Sequence, residues 1–304
     1  MGKIAFVFAG QGAQTPGMGR TLYRRSAAAH RLFRRASAIR PETLRQCFDA
    51  SAEELCETRV TQPCLYTVEL AQAESLSEAG ISADMTAGFS LGEISALAYS
   101  GAISFEEGMR LVMIRGELMQ TASEMHRTSM AAVMRLSEEK IKELCSRFEN
   151  VYPVNFNCPG QVSVSGDADE MTEFRAAVKA AGGMAVPIKV SGAFHSPFMS
   201  EAAETFGDVL DGAEFQKPSM PVYSNCTGEV YGSSIRASLR AQIDHPVRWE
   251  KIIRNMIAAG ADTFLELGPG RTLSGFIKRI DGSVKTIALS DCEDFSAVRA
   301  EVIG

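Results

Sequence analysis

The sequence predicts an α/β protein, with a parallel-sheet core interrupted in mid-chain by a smaller unit of order βαββαβ. Three observations carry that reading. The N-terminus opens on an apolar, β-rich run, Ile4 to Phe8, which passes directly into the glycine-rich turn Gly10-Gln11-Gly12-Ala13-Gln14 and then into helix-compatible sequence. A short apolar run from Ala83 to Ala87 again meets a glycine, Gly88, with a helix after it, and Thr263 to Leu267 does the same before Gly268-Pro269-Gly270. Between Met130 and Val190 the rhythm changes, because strands there follow one another as well as alternating with helices.

Taken in order, the first strand and glycine loop lead to a stretch in which Arg20, Arg24, Arg25, Arg31, Arg34, Arg35 and Arg40 crowd one helix. Such a helix faces either an acidic partner or plain solvent, and the solvated surface is the simpler reading. Thr61 and Pro63 open the next helix, which runs to a stop at Gly80. Ala83 to Ala87 is a short buried strand. Then come strand Met130 to Arg135, a helix from Ser137, strands Tyr152 to Asn157 and Gln161 to Ser165, helix Ala168 to Ala181 and strand Met184 to Val190. That order is the ferredoxin-like signature. Helices and strands then resume, ending with Thr263 to Leu267 and a helix after Thr272. The expected division is a core of residues 1–126 and 191–304 around an inserted subdomain of residues 127–190.

With 304 residues, 45% of them hydrophobic and 22% charged, the chain is an ordinary globular sequence, long enough for one large core or two domains. Its apolar runs are far short of a membrane span and no signal-type segment opens it, so a cytoplasmic location is expected. A net charge of −6 argues against a nucleic-acid binder. The seven cysteines (Cys47, Cys56, Cys64, Cys145, Cys158, Cys226 and Cys292) are scattered singly, which fits reduced thiols better than a disulfide framework or a zinc site. No metal site is expected.

The sharpest local signal is Gly88-Phe89-Ser90-Leu91-Gly92, a G-x-S-x-G elbow set between a strand and a helix. Its glycines permit a tight turn that exposes the serine hydroxyl, while the Leu91 amide at the helix start can stabilise a developing oxyanion. The same glycines also serve a strand and helix that simply pack closely. A serine nucleophile needs a base. Of four histidines, His30 and His126 read as surface residues and His245 precedes Pro246 in a turn. His195 alone lies in a strand-to-helix loop, Ser191-Gly192-Ala193-Phe194-His195-Ser196-Pro197, where a functional and a structural role are both open. An α/β-hydrolase places an acid and then a late histidine after its serine, and this chain does not. A Ser-His dyad oriented by a backbone carbonyl is the variant that fits. The first glycine loop lacks the third glycine of a dinucleotide fingerprint and the lysine of a P-loop, but its N–H groups can complete an oxyanion hole. Arg115, on an apolar helix with Leu111, Val112, Ile114 and Leu118, is either a rim residue or a clamp for a carboxylate.

Taken together, Gly10-Gln11-Gly12-Ala13-Gln14, Gly88-Phe89-Ser90-Leu91-Gly92-Glu93, Arg115, Gly192-Ala193-Phe194-His195-Ser196 and Pro246-Val247-Arg248-Trp249 resemble the malonyl-CoA:acyl-carrier-protein transacylase family. The match runs in order over nearly the whole chain. It implies an α/β-hydrolase-like core carrying the ferredoxin-like insertion, and a ping-pong transfer of malonyl from coenzyme A to Ser90, then to the phosphopantetheine thiol of an acyl carrier protein. The resemblance makes Ser90 the nucleophile, His195 the base, and Gln11 and Leu91 the oxyanion donors. Arg115 would pair with the malonyl carboxylate, Asn157 would lie close to the active site, Phe194 would crowd a branching methyl, and the region of Arg248 would supply the carbonyl that orients the histidine. Three positions depart from the family pattern: Phe89 stands where it usually has histidine, and Thr128 and Ser129 where it has a Gly-Ala pair. Malonyl-CoA would be a substrate, with no cofactor, and a monomer supplying fatty-acid elongation is expected. The rivals are a discrete polyketide-synthase acyltransferase, an acyl hydrolase on the same scaffold, and a docking subunit without activity. A hydrolase of unbranched acyl chains has no use for Arg115, and a docking subunit needs none of Ser90, His195 and Arg115.

Overall fold

The structure is a computed structural model that describes residues 2–188, 190, 192–232, 234–290 and 295–303. Its described strands are β1 (Lys3–Phe8), β2 (Met85–Gly88), β3 (Thr128–Met134), β4 (Val151–Cys158), β5 (Gln161–Asp167), β6 (Met184–Ile188), β7 (Val222–Tyr223), β8 (Ala261–Leu267) and β9 (Lys285–Ala288). They form two sheets. The first, in order β7-β2-β1-β8-β9, is parallel throughout. The second, β4-β5-β3-β6, is antiparallel and lies within residues 128–188, with two helices, Glu138–Cys145 and Ala168–Ala180, between its strands in sequence.

The unbroken apolar run of β1 follows from its central place. Phe6 and Phe8 pack into one hydrophobic cluster and Ala5 and Val7 into another, so both faces of the strand are covered. The register pairs Phe8 with Gly88 on one side and with Leu267 on the other. All three glycine turns read in the sequence therefore leave the sheet together at its carboxyl edge, where open parallel sheets bind their ligands. The second sheet is tied to this region through its edge strand: Phe156 N–H donates to Val247 O (2.9 Å) and Val247 N–H to Val154 O (2.9 Å).

Several boundaries differ from the sequence reading. The helix expected from Thr61 begins three residues earlier and spans Thr58–Glu78, because Gln120 Oε1 caps the Thr58 N–H at 2.8 Å. The arginine-rich stretch is two helices, Arg20–Arg25 and Ala27–Ile39, broken at Ser26, whose hydroxyl accepts from Ala29 N–H. Arg20, Arg31 and Arg35 there pair with Asp49, Glu78 and Glu106 in surface ion pairs. Cys47, Cys64, Cys145 and Cys158 are buried free thiols, Cys56 is exposed, Cys226 is half-buried, and Cys292 and Ser191 lie outside the described residues. Among the described residues no helix is long and apolar enough to cross a membrane.

Candidate active site

The site is built on the turn from β2 into the helix Gly92–Tyr99. Two glycines make that turn. A Cβ on Gly88 would lie 1.8 Å from the backbone of Gly92, and one on Gly92 would lie 2.4 Å from Phe8 O, so strand and helix can approach only where neither residue has a side chain. Between them Ser90 is held at φ 53°, a left-handed conformation that costs a non-glycine residue strain and lifts its hydroxyl out of the turn. His195 takes the same conformation, at φ 61°.

These two strained residues meet. Ser90 Oγ lies 2.8 Å from His195 Nε2, although 105 positions separate them. His195 Nδ1 lies 2.7 Å from the backbone oxygen of Gln242, and the His195 backbone N–H donates to Ile243 O at 3.2 Å. Both carbonyls belong to the last turn of the helix Ile235–Asp244, where intrahelical donors have run out. The donor due to Gln242 O would come from residue 246, which is a proline and has no N–H. A carbonyl only accepts, so Nδ1 carries the proton and Nε2 faces Ser90 with its lone pair. Burial, assisted by the charge of Arg115, pushes the imidazole down from 6.5 to about 3, so it is neutral at ordinary pH.

Here one expectation is corrected. The carbonyl expected in the region of Arg248 is not that of Arg248 itself, whose backbone oxygen accepts from Ile252 N–H at 3.0 Å, while the oxygen on His195 Nδ1 belongs to Gln242. The orienting carbonyl lies six residues upstream, because the helix ends at Asp244 and frees it there.

Arg115 is 1% exposed, on the helix Phe105–Met125. Its Nη2 donates to Ser90 Oγ (3.2 Å) and to Gln242 Oε1 (2.7 Å), while its Nε is buried with no partner among the described residues. Burial draws its pKa down to about 10, which leaves it charged at neutral pH. The backbone N–H groups of Gln11 and Leu91 have no acceptor among the described residues. Leu91 stands at the start of the Gly92–Tyr99 helix, where the dipole adds to its amide.

In front of Ser90 and His195 opens a cleft of about 280 Å³ between the parallel sheet's carboxyl edge and the second sheet. Gln11, Phe89, Asn157 and Phe194 line it, with Met130 and Ser163 of the second sheet. Asn157 Nδ2 donates to Ser163 Oγ at 3.1 Å and its buried Oδ1 is unpaired. Phe89 packs edge-on against the buried Trp249 and extends the apolar wall. Arg115 reaches the site through Ser90 Oγ and Leu91 through the elbow's backbone, and neither side chain forms the cleft wall. Beneath all of these lies a buried polar cluster that the sequence did not reveal. Asn225 Oδ1 accepts from Ser90 N–H (2.7 Å), Asn225 Nδ2 donates to Gly88 O (2.6 Å), and Glu93 accepts from Asn225 N–H (2.9 Å), Tyr231 O–H (2.5 Å) and Gln242 Nε2 (2.7 Å). Pro246, four residues after Gln242, was the one available signal for that carbonyl.

A parallel sheet whose elbow sets a serine against a neutral histidine, with free amides beside it, belongs to the α/β enzymes that handle acyl groups. Residues 5–288 match the acyl transferase domain model. The chain belongs to that family and, within it, to the malonyl-CoA:acyl-carrier-protein transacylases. It is 41% identical over 301 residues to the malonyl CoA-acyl carrier protein transacylase of Bacillus subtilis, covering 96% of this chain and 95% of that protein. The enzyme of the same name from Staphylococcus aureus is 35% identical over 302 residues, covering 97% of each. Among solved structures, the transacylase of Clostridium perfringens superposes with a TM-score of 0.95 at 35% identity, covering 99% of this chain and 97% of that one. A malonyl-transacylase solved in complex with a type II polyketide-synthase acyl-carrier protein gives 0.93 at 35% identity, covering 98% of each chain.

Proposed function

We propose that this chain transfers malonyl from coenzyme A to the phosphopantetheine thiol of an acyl carrier protein, through an ester on Ser90, and so supplies fatty-acid elongation. The observation that carries the reading is Arg115, a desolvated guanidinium 3.2 Å from the nucleophile with an N–H still unpaired. A buried charge of this kind is costly unless a partner arrives, and a guanidinium matches a carboxylate in shape. An acyl group that carries a free carboxylate completes the site; a simple acyl chain leaves it unfilled.

The steps follow from the geometry. Ser90 Oγ bonds to the thioester carbonyl carbon as its proton passes to His195 Nε2, and the carbonyl oxygen takes the electron pair and turns to the Gln11 and Leu91 N–H groups. Collapse breaks the C–S bond, and the departing thiolate takes the proton from His195. In the second half the carrier thiol gives its proton to His195 as its sulfur bonds to the acyl carbon, and collapse breaks the C–O bond to Ser90, whose Oγ takes the proton back from His195. The exchange balances without a cofactor. Phe194, on the cleft wall, crowds the position of a methyl branch, and Asn157 offers an acceptor to the entering arm. A monomer working in the cytoplasm fits this role. The polyketide alternative is not favoured, because the curated relatives matched over nearly the whole chain carry the name malonyl CoA-acyl carrier protein transacylase.

Intact-mass spectrometry after brief incubation with malonyl-CoA tests the proposal. One malonyl adduct is expected, absent in Ser90→Ala, weakened in Arg115→Ala and chased onto added carrier protein. No adduct, or one that forms equally from acetyl-CoA and decays to free acid, would overturn it.

A further inference from the structure

Gln242 touches the nucleophile, the base and the guanidinium of the site. Its backbone oxygen holds His195, its Nε2 donates to Ser90 O (2.6 Å) and to Glu93 Oε2 (2.7 Å), and its Oε1 accepts from Arg115 Nη2 (2.7 Å). An amide has two orientations half a turn apart. Turned over, Gln242 would set its NH2 against the Arg115 guanidinium and its oxygen against two acceptors. Which way it lies decides whether Arg115 is held.

Glu93 bears on that choice. It is wholly buried and takes no part in the proton transfers described above. Its Oε1 is engaged by two donors, Asn225 N–H and Tyr231 O–H, which leaves Oε2 for Gln242. A glutamine in its place would keep the volume but not the pattern. Its oxygen would be drawn to the two donors and its NH2 would stand where Oε2 was, facing the NH2 of Gln242. A carboxylate, with acceptors on both sides, is the group that satisfies all three donors. The main chain of Gln242, fixed in its helix, keeps hold of His195 in either case.

We propose that Glu93 is a positioning residue for acyl-group selection: by accepting from Gln242 Nε2 it locks that amide with Oε1 toward Arg115, and so aims the guanidinium at the carboxylate of the incoming acyl group. This rests on the reading of Arg115 given above. The distinguishing readout is the ratio of Ser90 acylation rates from malonyl-CoA and acetyl-CoA, because only the first uses Arg115, whereas loosening of the fold slows both.

The test measures that ratio by rapid-quench intact mass for the wild type, E93Q, E93D, Q242M, the E93Q/Q242M double variant and R115A. E93Q and Q242M are each expected to lower the ratio roughly tenfold or more, the worth of one hydrogen bond to a charged group. The double variant should go no lower than Q242M, and E93D, still an acceptor on both sides, should recover most of the ratio. If R115A collapses the ratio while E93Q slows both substrates alike or leaves the ratio unchanged, the lock is refuted. If R115A itself leaves the ratio unchanged, the carboxylate reading of Arg115 falls, and the lock with it. Should E93Q fail to fold, Q242M and E93D decide: loss in the first with retention in the second supports the lock, and any other pairing overturns it.

Discussion

Replacing His195 by asparagine is expected to raise stability relative to the wild type when the pH falls from about 7.5 to about 5, whereas E93Q should do the reverse. The two groups are buried in one cluster yet shifted in opposite senses. Burial, with the Arg115 charge, holds the His195 imidazole down at about 3 against an ordinary 6.5. The unfolded chain therefore binds the proton more readily, and the stability His195 contributes is present above pH 6.5 and lost as the pH falls toward 3. Burial pushes the Glu93 carboxyl up to about 7 from 4.5, against the pull of Tyr231, Asn225, Gln242 and Arg115. Here the native state binds the proton more readily, so the contribution is full below pH 4.5 and lost as the pH rises through 7. At 1.36 kcal/mol per pKa unit, each group changes stability by about 2 kcal/mol across that interval, with opposite signs. Asparagine suits the left-handed backbone at position 195 and glutamine keeps the volume at 93. Urea unfolding of wild type, H195N and E93Q at both pH values gives the answer as differences, in which the surface carboxylates common to all three cancel. Three parallel responses to pH would refute the opposed protonation states.

Two further substitutions test the frame of the site. Gly92→Ala puts a methyl 2.4 Å from Phe8 O and 2.5 Å from Ala9 O, atoms that move only if the helix leaves the sheet. A loss of about 1–3 kcal/mol or more in urea unfolding is expected, together with loss of the Ser90 adduct. Arg248→Ala removes an exposed side chain bonded to Cys226 O, and the malonyl acylation rate should change by less than about threefold, as for an ordinary surface replacement. A large loss there would show that the Arg248 side chain itself matters to the reaction.

What was legible in the sequence follows the range of the interactions. The elbow could be read because its glycines are demanded by neighbours four residues apart, and the strands because β1 must be apolar on both faces. His195 emerged from a field of four histidines. Glu93, Asn225 and Gln242 could not be read: their partners lie up to 152 positions away, and nothing local distinguishes a buried acid or amide from a surface one. The resemblance placed the orienting carbonyl beside Arg248, in the same segment but past the end of the helix. Only the coincidence of a helix terminus with Pro246 marks Gln242 O as the free acceptor.

That carbonyl also gives a physical reason for the missing acid. In a Ser-His-Asp arrangement a carboxylate orients the imidazole. Here Arg115 sits within hydrogen-bond distance of Ser90 and raises the cost of protonating His195. A carboxylate on Nδ1 would add a second buried negative charge to a cluster that already holds Glu93. A helix-end carbonyl fixes the tautomer without bringing a charge. On the proposed pairing of Arg115 with the acyl carboxylate, the smaller of the two causes that lower His195 is offset while burial, the larger, remains. On that proposal, selection of the acyl group and activation of the serine are coupled through Arg115.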